Sequence, residues 1–543
     1  MSSHSYHDQS LNLESLQSFV EREFDENVLP ALKDFIRIPN QSPNFDSHVL
    51  TNGYMEQALS LIVHWIEKQN IQGLKLEVMR IEGKTPLIFV DIDSTIEGKK
   101  GWKSNVPIAF LYGHADKQPP AEGWAEGLSP YIPVVRSRLP SDRGHVADDF
   151  TYLYGRGSND DGYAVFSSIL AVKSLQEQKM PHGRIIVCCE FSEESGSCDL
   201  PYYLCYLLPF EKSKHIREAL GEDAPTIPQD YQGKIEGEVD LMICLDSGVG
   251  NYLQPWVTLS LRGILVLEMH VSLITQGVHS GGYSGLVADS FRVARILLSR
   301  LEDENTGQIK IKDLYGTSTS EVNENEPYIP KWVLQKLSVS AELLGREGVC
   351  EAVPLVDDNV ELMSDDLLQL LLNKTWRPTL TITGAEGLPK FAKAGNVLRP
   401  RTNLKLSIRL PPHVSPEMAE QKVIETLTTN IPYNAHVEIK NVHTGSGWYC
   451  QEFKPWLLKS FDDGCKTFFG SQYETGFLAE GGSIPFIKVL NDCYKNAQFI
   501  VTGVAGPGSN AHGPNEHLCL EYTKKVICYV TKILSDHACT HDE

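Results

Sequence analysis

The sequence has no apolar run long enough to span a lipid bilayer, and its first residues show neither the basic start nor the apolar segment of a secretory signal. It also has no excess of basic residues, because 49 lysines and arginines stand against 70 aspartates and glutamates, for a net charge of -21. This charge argues against nucleic acid or an anionic membrane as the main partner. We therefore expect a cytoplasmic protein with no nucleic acid and no membrane among its partners.

Paired cysteine motifs are also absent. The twelve cysteines include no Cys-x-x-Cys pair and no zinc-finger spacing, so we expect buried free thiols in a reducing compartment. The chain has no internal repeat and no low-complexity segment. What it does have is 41% hydrophobic and 22% charged residues over 543 positions, which is typical of a globular protein of more than one domain.

Apolar segments of strand length alternate with helical segments in both terminal parts of the chain. Strands are predicted over residues 108–112, 184–191 and 240–245, and a helix over residues 161–175. This alternation favours an α/β domain in which helices flank a mixed, mostly parallel sheet.

The pattern changes in the middle of the chain. A long strand candidate over residues 257–272 is interrupted at Gly263, and the helix and strand patterns after it predict an inserted α+β two-layer sandwich. Within this part, residues 302–326 are predicted to be a loop and residues 341–366 an irregular or partly helical insertion. The expected domains are the first part of a catalytic domain, an inserted lid or dimerisation domain, and the second part of the catalytic domain: residues 1–256, 257–446 and 447–543.

Five groups of possible metal ligands fall just after predicted strands. Ligands in open α/β sheets bind at the carboxyl ends of the strands, so these groups are expected to meet there. Two histidines and three or four carboxylates suit a pair of divalent ions such as Zn²⁺ or Mn²⁺. The groups are His114 with Asp116, Asp160 with Asp161, Glu193 with Glu194, Asp246, and His512.

Each group alone also has a simpler interpretation. The His114-x-Asp116 pattern fits a surface turn, and Asp160-Asp161 fits an N-cap at the positive end of a helix dipole. The other groups fit a solvated acidic loop, a turn and an ordinary loop histidine. Only their coincidence at successive strand ends favours a metal site.

In this order the motifs resemble the di-zinc exopeptidase family, which includes carnosinase-type dipeptidases, aminoacylase, carboxypeptidase G, acetylornithine deacetylase and succinyl-diaminopimelate desuccinylase. The resemblance extends from about residue 13 to residue 537. Three local matches support it, and the last favours the dipeptidase branch: the His279-Ser-Gly segment, Asn396 with Arg409, and Glu480-Gly-Gly-Ser483. Carnosinase-type members usually have an Arg where this chain has Ala479, and a Lys after the Asp-Asp pair, where it has Gly162-Tyr163.

The resemblance implies two divalent ions per chain, with Zn²⁺ first and Mn²⁺ or Co²⁺ as alternatives. In the implied arrangement Asp160 bridges the ions, His114 and Asp246 complete one site, and Glu194 and His512 complete the other. Glu193 would be the general base and acid, with Asp116 orienting His114. The substrate contacts would come from Asn396, Arg409, Glu480 and Ser483.

The resemblance also implies a homodimer formed through the inserted domain, in which His279 stabilises the oxyanion in the partner's active site. We therefore expect a metal-dependent, dipeptidase-like exopeptidase that acts on a small peptide. An N-acyl-amino-acid deacylase is the near alternative, with an N-acyl amino acid as substrate. A non-catalytic binding protein on the same fold is the remote one.

Overall fold

The computed structural model describes residues 11–96, 106–137, 150–316, 327–350, 353, 355–357, 359–482 and 484–540. The α-helices α1 to α14 are, in order, Leu13–Glu23, Leu29–Ile36, Tyr54–Glu67, Gly162–Glu177, Leu200–Leu207, Phe210–Leu220, Ser280–Tyr283, Ser290–Leu301, Lys331–Cys350, Leu367–Thr375, Pro416–Thr428, Pro455–Phe468, Pro485–Cys493 and Leu520–Cys539. The strands β1 to β18 are Leu74–Met79, Leu87–Ile92, Ile108–His114, Val134–Ser137, Thr151–Tyr154, Arg184–Glu190, Leu241–Cys244, Trp256–Leu261, Gly263–Ser272, Val278–His279, Thr379–Glu386, Val397–Leu398, Arg401–Leu410, His436–Gly445, Trp448–Tyr449, Gly476–Glu480, Gln498–Val501 and His517–Cys519.

A nine-stranded mixed sheet forms the larger layer of the described part of the chain, in the order β1-β2-β6-β3-β7-β17-β8-β15, with β16 paired to β8. Its centre, β6-β3-β7-β17, is parallel, whereas β1 and β2 add to it antiparallel. Strands β3 and β6 are buried along their whole length, which explains their nearly continuous apolar sequences. Helix α4 packs against both strands, and α14 packs against α4. The predicted α/β fold with a mixed sheet flanked by helices is confirmed.

Strands β9, β11, β13 and β14 form a separate antiparallel sheet in the order β11-β13-β9-β14. Helices α8 and α11 pack against it and share an apolar core with it. Successive residues of β9 alternate between buried and partly buried, as expected for a strand with only one face on a core. This sheet with its two helices is the predicted α+β two-layer sandwich.

The prediction of one interrupted strand over residues 257–272 is wrong, because this segment forms two strands in different sheets. Its first part, β8, pairs within the large sheet, and its second part, β9, pairs within the small one. The chain crosses between the sheets at Arg262, immediately before Gly263. A Cβ at Gly263 would lie only 3.0 Å from the Gly445 carbonyl oxygen, so the close backbone approach at the crossing favours glycine.

Two helices inside the predicted inserted domain, residues 257–446, contribute to the apolar core of the nine-stranded sheet. Helices α9 and α10 pack against each other and against β16, and Leu337 and Trp376 are fully buried in that core. The segment predicted over residues 341–366 to be irregular or partly helical is helical over residues 341–350, which continue α9. Gly345 kinks this helix with a φ of 60°, a backbone conformation that favours glycine.

The last helix, α14, begins at Leu520, because residues 517–519 before it form β18 and pair with β5. This pairing brings the segment after His512 against the turn that carries Asp160: the Gly155 N–H donates to the Glu516 carbonyl at 3.0 Å. Two segments distant in sequence thus meet beside the separate three-stranded sheet β18-β5-β4.

The structure agrees with the expectation of free thiols, since none of the twelve cysteines is paired and most are buried. In the described part of the chain, no helix is both long enough and apolar enough to cross a membrane.

Candidate metal centre

The site is built where the central parallel strands end. His114 is the last residue of β3, Glu193 and Glu194 follow β6, and Asp246 follows β7. Because β3 pairs in parallel with both β6 and β7, these three ends lie side by side. The turn before α4 adds Asp160, so residues from four separate parts of the chain meet there.

Two groups of three side chains have ligand atoms within 4.8 Å of one another: a first trio of His114, Asp160 and Asp246, and a second trio of Asp160, Glu194 and His512. His114 Nε2 lies 3.2 Å from Asp160 Oδ1 and 3.7 Å from Asp246 Oδ2. His512 Nε2 lies 3.0 Å from Asp160 Oδ2 and 3.4 Å from Glu194 Oε2. Asp160 therefore turns one oxygen toward each trio, as a bridging carboxylate does.

This spacing fits divalent ions. Two tetrahedral ligands bound at 2.0–2.1 Å stand about 3.3 Å apart, close to the separations observed in both trios. The His114 ring is fully buried, yet neither of its nitrogens has a hydrogen-bond partner among the described residues. Buried polar atoms are rarely left without a partner, so an ion at Nε2 accounts for one of them. The nearest group to Nδ1 is Asp116 Oδ1 at 3.4 Å, where a carboxylate can orient a metal-bound imidazole.

The electrostatics of the two trios show the same need for positive charge. Burial raises the pKa of Asp160, but the imidazoles of His114 and His512 outweigh it and hold the pKa well below its ordinary value. Burial raises the pKa of Asp246 to about 6 and, with the Asp160 charge, raises that of Glu194 well above its ordinary value. Bringing these carboxylates together in ionised form requires cations beside them.

Glu193 belongs to neither trio but lies next to the first one. Its Oε2 is 3.9 Å from His114 Nε2, and its N–H donates to Asp116 Oδ1 at 3.1 Å. Burial, together with the nearby Asp246 charge, raises the pKa of Glu193 well above its ordinary value. A carboxyl group that is close to a metal site, is not one of its ligands and has a raised pKa is suited to proton transfer.

The proposed substrate residues are more dispersed. His279 on β10 and Asn396, the residue before β12, are both exposed and lie close together, because β10 pairs with β12 and the Ser280 N–H donates to the Asn396 carbonyl. Glu480 ends β16, and its Oε1 would lie 2.8 Å from a Cβ at Gly248, two residues after Asp246 in the chain. Neither trio includes any of these residues.

Arg409 lies half-buried on β13 beside Arg262, whose pKa is lowered to about 10 by burial and by the Arg409 charge. The Arg262 N–H donates to the Glu480 carbonyl at 3.2 Å, which links this pair of cations to the end of β16. Ser483 lies outside the described residues.

Sequence reasoning missed Gln118 and several of the hydrogen bonds that hold the proposed ligands. The Gln118 amide donates to Glu194 Oε2 at 2.6 Å, and Asp161 Oδ2 accepts from the His114 N–H at 3.1 Å. Asp116 also accepts from the Glu194 N–H at 3.0 Å, so it fixes the turn after β6 as well as facing His114. The sequence signal for Gln118 was its position two residues after the His-x-Asp motif.

The departure at Gly162-Tyr163 has a structural reason. A Cβ at Gly162 would clash with the Gly157 carbonyl and the Phe35 ring, so no lysine fits there. A buried lysine is nevertheless present nearby: Lys117 Nζ donates to the Phe35 carbonyl at 2.7 Å and lies 3.9 Å from the centre of the Phe35 ring. Tyr163 is buried too, and its hydroxyl donates to the carbonyl of the residue before Asp246.

Two candidate ion sites that share one carboxylate, at the strand ends of an α/β sheet, define the class: a metal-dependent hydrolase. Residues 110–536 match the sequence profile of Peptidase family M20/M25/M40, and the chain belongs to this family of metallopeptidases.

Similar proteins include dipeptidases. The cysteinylglycine-S-conjugate dipeptidase of Corynebacterium striatum is 25% identical over 430 residues, which cover 79% of this chain and 80% of that protein. The Beta-Ala-His dipeptidase of Homo sapiens is 24% identical over 419 residues, which cover 75% and 70%.

Solved structures share the fold. Human carnosine dipeptidase 1 superposes with a TM-score of 0.68 at 18% identity and covers 98% of this chain and 99% of its own. The di-peptidase Dug1p from Saccharomyces cerevisiae gives a TM-score of 0.64 at 19% identity and covers 97% and 99%.

Proposed function

We propose that this chain is a two-metal exopeptidase of the dipeptidase type, which hydrolyses the amide bond of dipeptides or similar small substrates. The observation that carries the proposal is the pair of trios sharing Asp160, with Glu193 beside them and outside both. The activities named for the similar proteins from Corynebacterium striatum and Homo sapiens support the same choice of substrate.

The proposed ligands are His114, Asp160 and Asp246 for one ion, and Asp160, Glu194 and His512 for the other. Zn²⁺ is the ion we propose first, because two imidazoles with carboxylates suit it, and Mn²⁺ or Co²⁺ suit the same donors. When bound, the two ions polarise the scissile carbonyl and make water acidic enough to be deprotonated near neutral pH.

The chain's own residues supply the proton transfers and the orientation. Glu193 takes a proton from the attacking water and then delivers it to the leaving amine, a pair of steps for which its raised pKa prepares it. Asp116 keeps the His114 ring in place and fixes the turn that carries Glu193.

The substrate would lie between Glu480 and Arg409. We propose that the Glu480 carboxylate holds the free ammonium group of a dipeptide, because this side chain stands next to the segment that follows Asp246. Arg409, with Asn396, would hold the carboxylate end of the substrate, and Ser483 would line the pocket.

We also propose a homodimer formed through the inserted domain. His279 is exposed and belongs to neither trio. Three exposed apolar side chains lie near it: Val397, which pairs with His279, and Tyr283 and Leu286, which follow it closely in the chain. A second copy would cover them and receive His279 at its own reaction centre, where a donor would stabilise the oxyanion. A cytoplasmic location is supported by the twelve unpaired cysteines.

A substrate panel tests the proposed activity. Dipeptides with a free amino terminus should be cleaved with a kcat/KM at least about tenfold above that of N-acyl amino acids, because only the former carry a cation for Glu480. Glu480→Gln should reduce this preference, whereas Glu474→Gln, an exposed residue just before β16, should leave it unchanged. Faster hydrolysis of N-acyl amino acids by the wild-type protein would make it a deacylase.

Ion binding should weaken as pH falls. Carboxyl groups with raised pKa values hold protons that an ion must displace; Asp246 has a pKa of about 6, and that of Glu194 is also raised. The apparent affinity should therefore fall by about tenfold for each pH unit below about 6 and for each displaced proton. Calorimetric Zn²⁺ titrations in two buffers of different ionisation enthalpy count the released protons, and a pH-independent affinity would contradict the expectation.

A further inference from the structure

A fully buried ion pair lies behind the bridging aspartate. Arg156 is 1% exposed, Glu516 is 0% exposed, and Arg156 Nη1 stands 2.8 Å from Glu516 Oε2. Burying two charges carries a large desolvation cost, which is repaid only when further hydrogen bonds satisfy both partners. Both partners of this pair make such further hydrogen bonds.

Arg156 holds the loop that carries His512. Its guanidinium donates to the Ala511 carbonyl through Nη1 and to the Gly513 carbonyl through Nη2 at 2.8 Å, and these are the residues on either side of His512. Its Nε donates to the Pro119 carbonyl at 3.0 Å. A guanidinium offers several donors in one rigid plane, which a lysine ammonium cannot reproduce.

Glu516 holds the turn that carries Asp160. Its carboxylate accepts from the N–H groups of Gly157, Asn159 and Asp160 at 2.9, 3.1 and 3.3 Å. The pair thus joins the backbone beside one proposed ligand, Asp160, to the backbone on both sides of another, His512.

The two trios depend on this pair to different degrees. His114 is the last residue of the buried strand β3, and Asp246 follows β7, so their positions come from the sheet. The His512 side chain is 63% exposed and sits on a loop, so its position depends on the backbone on either side of it.

We propose that Arg156 and Glu516 are positioning residues that set the ion affinity of the second trio, Asp160, Glu194 and His512. This inference rests on the proposed ligand roles and adds to them a group that touches neither ion nor substrate. Loss of the pair frees the His512 loop from the Asp160 turn and leaves His114 and Asp246, the other two members of the first trio, in place at their strand ends.

Arg156→Lys and Glu516→Gln test this role, because each keeps the size of the side chain while removing part of the network. Each should bind one of the two ions roughly 10–100-fold more weakly than the wild type, with the other unchanged. The matched control is Arg184→Lys, which breaks another buried pair: Arg184 donates to Asp91 at 2.8 and 2.9 Å from the opposite end of β6. This control should lower the unfolding temperature without changing either ion affinity.

A double-mutant comparison identifies which ion is affected. In a His512→Ala background the weakly held ion is already lost, so adding Arg156→Lys should leave the affinity for the remaining ion unchanged. Affinities are measured by Zn²⁺ titration against a competing chelator, with ion content checked by elemental analysis.

Two results would overturn the inference: unchanged affinity for both ions in Arg156→Lys and Glu516→Gln, or equal weakening of both. A wild-type protein that binds no ion would refute the proposed function itself. A wild-type protein that binds two ions, together with variants whose affinity for both ions is unchanged, would refute only the positioning role.

Discussion

Replacing Glu193 by glutamine should lower kcat by about 10²–10⁴-fold, the usual contribution of a general base and acid, while both ions stay bound. Glutamine has nearly the same shape as glutamate but cannot accept a proton from water. Glu193 lies in neither trio, so its charge is not needed to hold an ion. The variant should therefore separate proton transfer from metal binding, which is measured by steady-state kinetics on a dipeptide together with elemental analysis.

The matched control is Glu211→Gln, which removes the same charge from the exposed side of α6 and should leave kcat unchanged. Retained activity in Glu193→Gln would remove the residue from the proton-transfer step. Loss of one ion together with activity would make Glu193 a ligand, because the 3.9 Å between its Oε2 and His114 Nε2 is short enough for a shared ion.

The positions of the proposed ligands at the ends of β3, β6 and β7 could be predicted because each follows a strand with an obvious sequence pattern. Strands β3, β6 and β7 are buried along their length, so they stand out as apolar runs, and the parallel arrangement then requires their ends to meet. This reasoning alone pointed to His114, to the Glu193-Glu194 pair and to Asp246, and the family resemblance chose Glu194 as the ligand of that pair. The family resemblance added the assignment of each ligand to one ion or the other.

The groups that support the ligands could not be predicted in the same way. Arg156 and Glu516 are 360 residues apart in the sequence, and most of their hydrogen bonds go to backbone atoms of irregular turns. Such contacts leave no periodic pattern, since periodicity records only which face of a regular element is buried. A single buried charge pair is visible only once the fold brings the two turns together.

The remaining differences between the predicted and the observed structure involve strands that are too short to show a pattern and helices that pack on the large sheet's core. Strands β10 and β12 have two residues each, too few for an alternating pattern, so sequence reasoning did not place His279 beside Val397. Helices α9 and α10 lie within the predicted inserted domain but pack on β16, because Leu337 and Trp376 belong to the apolar core of the nine-stranded sheet. Sequence position inside an insertion does not decide which core a helix joins.

Replacing Asp160 by alanine should remove both ions, a larger loss than any other single ligand can cause. Each trio has three ligands, and Asp160 is the member that they share. Without it, His114 and Asp246 are left for one ion, and Glu194 and His512 for the other. Protein zinc sites need at least three protein ligands, so neither remaining pair should hold an ion, and activity should fall with the ion content.

Variants that lack a ligand of only one trio should lose only one ion. Asp246→Ala and His512→Ala each leave one complete trio, so elemental analysis should find one ion per chain in each, against none in Asp160→Ala. Asp161→Asn is the matched control, because burial and the Asp246 charge raise the pKa of Asp161 well above its ordinary value and favour its neutral form, which asparagine resembles. It should keep both ions. If Asp160→Ala also kept one ion, the carboxylate would serve a single site, and the two ions would not depend on a common bridge.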